Sequence, residues 1–80
     1  MKNRDGIVEY VAQPHIEIVG NSEFVVEGLK SILEYKEDKI KISLGKYSVT
    51  FFGDGLRIDS FSYEGAVVQG TVISMEFSSD

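Results

Sequence analysis

The segment 25-VVEGLKSILEY-35 decides the fold, because its residue pattern fits both a helix and a pair of strands. As a helix it would carry apolar residues at i, i+4, i+7 and i+8, namely Val25, Leu29, Ile32 and Leu33. As extended chain it would hold the end of one strand, a break at Gly28 and a second strand. The two readings lead to different fold classes.

Residue preferences in this segment favour the strands. Gly28 would lie inside the helix, where glycine costs about 1 kcal/mol relative to alanine. Val25, Val26 and Ile32 are β-branched and pack well on a pleated surface. We therefore predict strands over 23–27 and 31–35, joined to the next strand by the turn 36-KEDK-39. The alternative is an α+β fold with one helix near 22–35, capped by Asn21 or Ser22.

The clearest strand pattern follows directly. In 39-KIKISL-44 the apolar residues alternate with polar ones, which is typical of a strand with one buried and one wet face. The segment 47-YSVTFF-52 repeats this alternation. Gly45-Lys46 lies between the two, and a glycine suits the positive φ of a two-residue hairpin turn. This part of the chain is predicted to be a β-hairpin.

The remaining segments continue the series of short apolar runs and turn signals. The sequences 53-GDG-55 and 62-SYEG-65 are predicted turns. The predicted strands around them are 15-HIEIV-19, 56-LRIDSF-61, 66-AVVQG-70 and 71-TVISMEF-77. The chain should therefore be all-β, a single small antiparallel meander, sandwich or roll of about 7–8 short strands. We expect one β domain over 14–78, preceded by a flexible or edge segment over 1–13.

Composition limits the class of protein. The 80 residues suffice for one domain, and 42% hydrophobic residues favour a folded chain. There is no cysteine and no apolar run long enough to span a membrane. The net charge of −5 repels polyanions on average, which disfavours nucleic-acid binding. We expect a cytoplasmic protein without direct membrane insertion.

No group of residues indicates catalysis. His15 is the single histidine, and Glu17 is its only neighbouring acid, which is too few ligands for a zinc site. The carboxylates are scattered at positions where the wet face of a sheet places its charges. We therefore predict a protein that is not an enzyme, with no catalytic residue, cofactor or metal.

One basic stripe is the candidate binding site from residues alone. Lys39, Lys41 and Lys46 lie close to Tyr47 and Phe51 in the sequence, and small β modules bind anionic strands with lysines beside aromatic rings. The simpler interpretation is that these lysines form the solvated face of the hairpin while the aromatic residues belong to the core. Binding of a nucleic acid or a glycan by this stripe remains the alternative function.

The order and spacing of several segments resemble the YabP/YqfC family of sporulation proteins, most closely its YqfC branch. The segments that carry the resemblance are 14-PHIEIVGN-21, 25-VVEGLKSILEY-35, 39-KIKISL-44, 49-VTFFGDGLRI-58 and 65-GAVVQGTVISMEF-77. Each alone is merely strand and turn, and the stretch from Pro14 to Phe77 that contains them covers about four-fifths of the chain. The resemblance implies strands throughout the ambiguous segment.

The resemblance also implies a function. Members of this family are non-enzymatic and act in the mother cell during spore formation, together with a membrane protein such as YqfD or YabQ. A location at the forespore membrane would then depend on that partner. Because a small sheet has exposed edges that can accept another strand, we also expect homo-oligomers formed through those edges.

Overall fold

The computed structural model describes residues 14–62 and 65–79, which form one antiparallel sheet. Its six strands are β1 (His15–Val19), β2 (Glu23–Glu27), β3 (Ser31–Tyr35), β4 (Lys39–Ser43), β5 (Tyr47–Ser62) and β6 (Gly65–Ser79). Their order across the sheet is β1-β2-β6-β5-β4-β3. The all-β prediction is confirmed.

The ambiguous segment 25–35 forms strands. Strands β2 and β3 occupy the predicted ranges 23–27 and 31–35, and the chain leaves β2 at Gly28. The turn to β4 is closed by the Lys36 amide, which donates to the Lys39 carbonyl at 2.8 Å. The alternative helix near 22–35 is therefore wrong.

The predicted hairpin at Gly45-Lys46 is also present. The amide of Leu44 donates to the carbonyl of Tyr47 at 2.8 Å, and β4 pairs with β5 from Ser43↔Ser48 to Lys39↔Phe52. Alternation along these strands buries Ile40 and Ile42 completely.

The strand count differs from the prediction, because 53-GDG-55 is not a turn. Strand β5 runs for 16 residues through this segment, and β6 runs for 15 residues through Gly70. The β5–β6 pairing absorbs the glycines as register shifts between Phe52 and Gly53 and between Asp54 and Arg57. Glycines with positive φ occur in bulges as well as in turns. The predicted strands 47–52 and 56–61 are therefore one long bent strand, β5, and the predicted strands 66–70 and 71–77 are another, β6. Of the predicted turn 62–65, residues 63 and 64 lie outside the described residues.

Both long strands bend at the same level, and a turn from elsewhere in the chain binds each bend. At the bend of β6, the amides of Gly70 and Val72 donate to carbonyls of the β1–β2 turn, Ser22 at 3.2 Å and Asn21 at 3.0 Å. The turn thus extends the β2–β6 ladder through the bend.

The bend of β5 is bound in the same way by the β3–β4 turn. Here the amides of Gly53 and Leu56 donate to the carbonyls of Asp38 at 3.1 Å and Glu37 at 2.7 Å. The hairpins β1–β2 and β3–β4 therefore hold equivalent positions on the two arms of the long β5–β6 hairpin.

The bend folds the sheet over on itself and creates the core. Phe24 on β2 meets Phe51 on β5 edge to face, with ring centroids 5.2 Å apart and planes at 63°, although β6 separates the two strands in the sheet. The buried apolar cluster comprises Phe24, Val26, Ile40, Ile42, Leu44, Val49, Phe51, Leu56, Val68 and Val72. We call the sheet face that carries these residues the inner face.

The bend requires a residue without a side chain at position 53. A Cβ atom added to Gly53 would overlap the carbonyl oxygen of Thr71 on β6, and one added to Gly70 would overlap that of Gly55 on β5. The backbones of β5 and β6 thus approach too closely at the bend for any other residue.

We expect Gly53→Ala to destabilise the protein by about 4 kcal/mol or more, the range of severe single substitutions, because a backbone atom cannot move aside. Gly20→Ala is the matched control. Gly20 has φ of 61° and open space around it, so its loss should stay near 1–2 kcal/mol. Urea unfolding measures both values, and equal losses would contradict the close approach.

The contact between Phe24 and Phe51 should be measurable by a double-mutant cycle. Phe24→Leu and Phe51→Leu should each destabilise the protein. Because either substitution alone already removes the edge-to-face contact, the loss in the double variant should be smaller than the sum of the two by about 0.5–1.5 kcal/mol. Chemical unfolding of the two single variants and the double variant gives this coupling. Additive losses would show that the rings do not interact.

Candidate protein-interaction surface

Large apolar side chains are exposed mainly along the outer strands and at the ends of the long ones. The most exposed is Ile73 on β6, at 72%. The full set is Ile18, Val19, Leu33, Tyr35, Phe61, Ile73 and Phe77. Such a side chain can contribute to strand addition only where the backbone edge beside it is able to accept another strand.

The edge formed by β3 is protected. The β3–β4 register shifts between Ile32 and Glu34, which makes Leu33 the bulged residue and interrupts the regular edge. The hydroxyl of Tyr35 accepts a hydrogen bond from the amide of Ile58 on β5 at 2.8 Å. The bulge and this bond together make β3 a poor template for another strand.

Charge adds to this protection. Glu34 forms ion pairs with Lys36 at 3.2 Å and with Lys39 at 3.3 Å. Hydrogen bonds from the Lys36 and Lys39 side chains lower the pKa of the Glu34 carboxyl below its usual value of 4.5. The carboxylate therefore stays ionised, and it keeps a charge on the edge strand.

The outer edge of β6 differs, because its backbone groups face away from β5. The Tyr47 carbonyl accepts from Leu44, so the backbone of Tyr47 faces β4. Backbone direction alternates along an antiparallel ladder, and Ser78, the partner of residue 48, consequently faces β5. The N–H and C=O groups of Met75 and Phe77 then point outward. No strand among the described residues pairs with this side of β6 beyond residue 69.

The side chains beside this edge are apolar. Phe77 lies across from Val49 and thus on the inner face, yet 57% of it is exposed. The Tyr47 ring packs on it at a centroid distance of 5.9 Å and an angle of 60°. Tyr47, Phe77, Ser78 and Ser79 line a shallow groove. We call residues 74–79 the β6 edge, since their pairing with β5 is regular.

The comparison with known proteins gives the family. A model of the YabP family matches residues 11–80. The chain belongs to the YabP family. No curated protein and no solved structure matches it significantly. The family predicted from the sequence is therefore confirmed, and the strands of this YabP-family chain lie within the matched range.

The basic stripe predicted from the sequence is spread along β4. Lys39 and Lys41 lie across from Phe52 and Thr50, and Lys46 lies in the exposed hairpin turn beyond the strand. At about 3.3 Å per residue, β4 alone separates its ends by about 13 Å. The Lys39 ammonium is 3.3 Å from Glu34 and 5.9 Å from the centre of the Phe52 ring, so it already has structural partners. The three lysines do not converge, and contact with an anionic partner stays a prediction.

The other polar candidates are dispersed as well. His15 lies on β1 across from Glu27 and is exposed. Within residues 14–62 and 65–79, no three histidine or acidic side chains come together as a metal-binding group. The same part of the chain forms no helix that could cross a membrane.

The β6 edge was not recognised as a site from the sequence. Alternation along 71-TVISMEF-77 places Ile73, Met75 and Phe77 on one face of a strand, but it does not show how much of that face is covered. The structure buries only part of it, since the opposite half of the folded sheet covers Phe51 and leaves Phe77 exposed. The available signal was the run 71-TVISMEF-77, which is mostly apolar and carries a single charge, at Glu76.

The ion pairs of Glu34 should make stability depend on pH. Because the pKa of folded Glu34 lies below its unfolded value, the pairs contribute above about pH 4.5 and their contribution is lost as the pH falls through the lowered pKa. Glu34→Gln should therefore be less stable than the native protein at neutral pH. The difference in their free energies of unfolding should disappear in acid and become smaller as salt is added.

Urea unfolding from neutral to acid pH measures this gap. Glu17→Gln removes a carboxylate that forms no ion pair within the described residues and so controls for the loss of one charge. A gap for Glu34→Gln that stays constant into acid would contradict the assignment.

Proposed function

We propose that this YabP-family protein acts in spore formation as a non-enzymatic interaction module. The observation that carries the proposal is the family match over residues 11–80. The sporulation role follows from what the YabP/YqfC resemblance implies, and the order of the segments is closest to the YqfC branch.

The exposed surface supports interaction as the mode of action. Phe77 and Ile73 are exposed beside backbone donors and acceptors that face outward. An edge with free N–H and C=O groups can add a strand from another chain, with affinity from the main chain and specificity from alternate side chains. The outer edge of β6 carries both the outward-facing main-chain groups and the exposed side chains.

We further propose that the module works in the mother cell with a membrane protein of the YqfD or YabQ kind. The support for this partner is the family resemblance. In this arrangement the protein reaches the forespore membrane by binding its partner.

A complementation experiment tests the function. Deleting the gene in an endospore-forming host should lower the number of heat-resistant spores, and the native protein should restore it. Phe77→Lys should fail to restore it, because a lysine on an exposed edge opposes strand addition. Leu33→Lys is the matched control, since Leu33 is similarly exposed, at 52%, on the protected edge.

The same variants serve in affinity purification from sporulating cells. The native protein and Leu33→Lys should retain a membrane protein of the YqfD or YabQ kind. A deletion strain that forms spores normally would overturn the sporulation role. Normal function of Phe77→Lys would remove the β6 edge from the proposal.

A further inference from the structure

We propose that the β6 edge pairs with the β6 edge of a second copy, antiparallel, about a twofold axis at Phe77. This inference rests on the proposed function, an interaction module, and names a partner for its surface. The two sheets would become one continuous sheet across the axis. A twofold contact uses the same patch on both molecules, so the patch must be complementary to itself.

The other edges are poor candidates for such pairing. Strand β1 has only five residues and carries Glu17 at its centre, so a symmetric pair that uses the whole strand would oppose two carboxylates. The β3 edge is interrupted at Leu33 and charged at Glu34. The second half of β5 carries the charged pair Arg57 and Asp59. The β6 edge has a single charge, at Glu76, and no bulge beyond residue 74.

The backbone groups of the β6 edge are symmetric about Phe77. By the alternation along β6, the residues whose amides and carbonyls face outward are Met75, Phe77 and Ser79. An axis at Phe77 pairs Phe77 with Phe77 of the second copy and Met75 with Ser79. Three pairs that each exchange two hydrogen bonds give about six backbone hydrogen bonds across the axis.

Side chains select this register over its neighbours. With the axis at Phe77, Glu76 lies opposite Ser78, and the apolar side chains of Met75 and Phe77 continue the inner face into the second copy. An axis at Glu76 would place two carboxylates directly opposite, which is destabilising. An axis at Met75 would bring the bulged residue Ile73 into the ladder. Of these three axes, the one at Phe77 is the one that avoids both faults.

The charge of the protein predicts how the association responds to salt. Each copy carries a net charge of −5, so two copies repel one another over distance. The proposed contact contains no ion pair. Added salt screens the repulsion and should therefore strengthen the association, whereas a contact based on ion pairs would weaken.

Sedimentation equilibrium of the purified full chain, at concentrations up to about 1 mM, tests the association. The native protein should show a monomer–dimer equilibrium that shifts toward dimer with salt. Phe77→Lys places two cations face to face at the axis and should weaken the dimer by about tenfold or more. Leu33→Lys, checked like Phe77→Lys for a native circular dichroism spectrum, should leave it unchanged.

Cysteine cross-linking tests the register while leaving Phe77 in place. The native chain has no cysteine, so single variants report one position each. Met75→Cys mixed with Ser79→Cys should form a disulfide-linked dimer, because opposed residues in such a pair have Cα atoms about 5.5 Å apart. Neither variant should cross-link with itself, since Met75 lies four residues, about 13 Å, from the second Met75 along the strands.

Each outcome decides between the two proposals. A native protein that stays monomeric at all salt concentrations overturns the dimer, and so does cross-linking of Met75→Cys with itself. If the protein is monomeric and Phe77→Lys still fails to support sporulation, the edge binds a different protein and the proposed function stands. If the dimer forms while the deletion strain forms spores normally, the dimer stands and the sporulation role fails.

Discussion

The close approach of the two long strands at their bends is the constraint on which the rest of the structure depends. Gly53 lies against the carbonyl of Thr71, and Gly70 lies against that of Gly55. Because the backbones can meet there, β5 and β6 bend together and carry one half of the sheet over the other. That bend brings Phe24 onto Phe51, and it gives an 80-residue chain a buried core without cysteines or a helix among its described residues.

Local features were predictable from the sequence, and long-range features were not. The hairpin at Gly45-Lys46 and the strands over 23–27 and 31–35 depend on alternation, β-branched residues and turn chemistry within a few residues. The role of 53-GDG-55 depends on the partner strand, since a glycine pair closes a turn when the chain reverses and forms a bulge when a neighbouring strand continues beside it. That partner, β6, is distant in sequence.

The candidate site likewise has features that local sequence predicts and features that depend on the pairing of strands. The pattern correctly placed Lys39 and Lys41 on the face of β4 opposite Ile40 and Ile42. It could not show that Glu34 neutralises Lys39, because this requires the register between β3 and β4. Likewise, alternation places Phe77 on the inner face, but how far the opposite layer extends over that face is a property of the whole sheet. The exposed edge therefore became visible only in three dimensions.

The position of β6 between β2 and β5 determines when the molecule can complete its fold during synthesis. Strands β3, β4 and the first half of β5 are consecutive neighbours, so they can pair as soon as each leaves the ribosome. The β1–β2 hairpin has no other place in the sheet than beside β6, about forty residues later in the chain. Phe24 and Val26 therefore stay uncovered until residues 65–79 leave the ribosome and pair with β2 on one side and β5 on the other. The β1–β2 hairpin is therefore the last part of the described sheet to find its place, and it is the segment on which a chaperone would act.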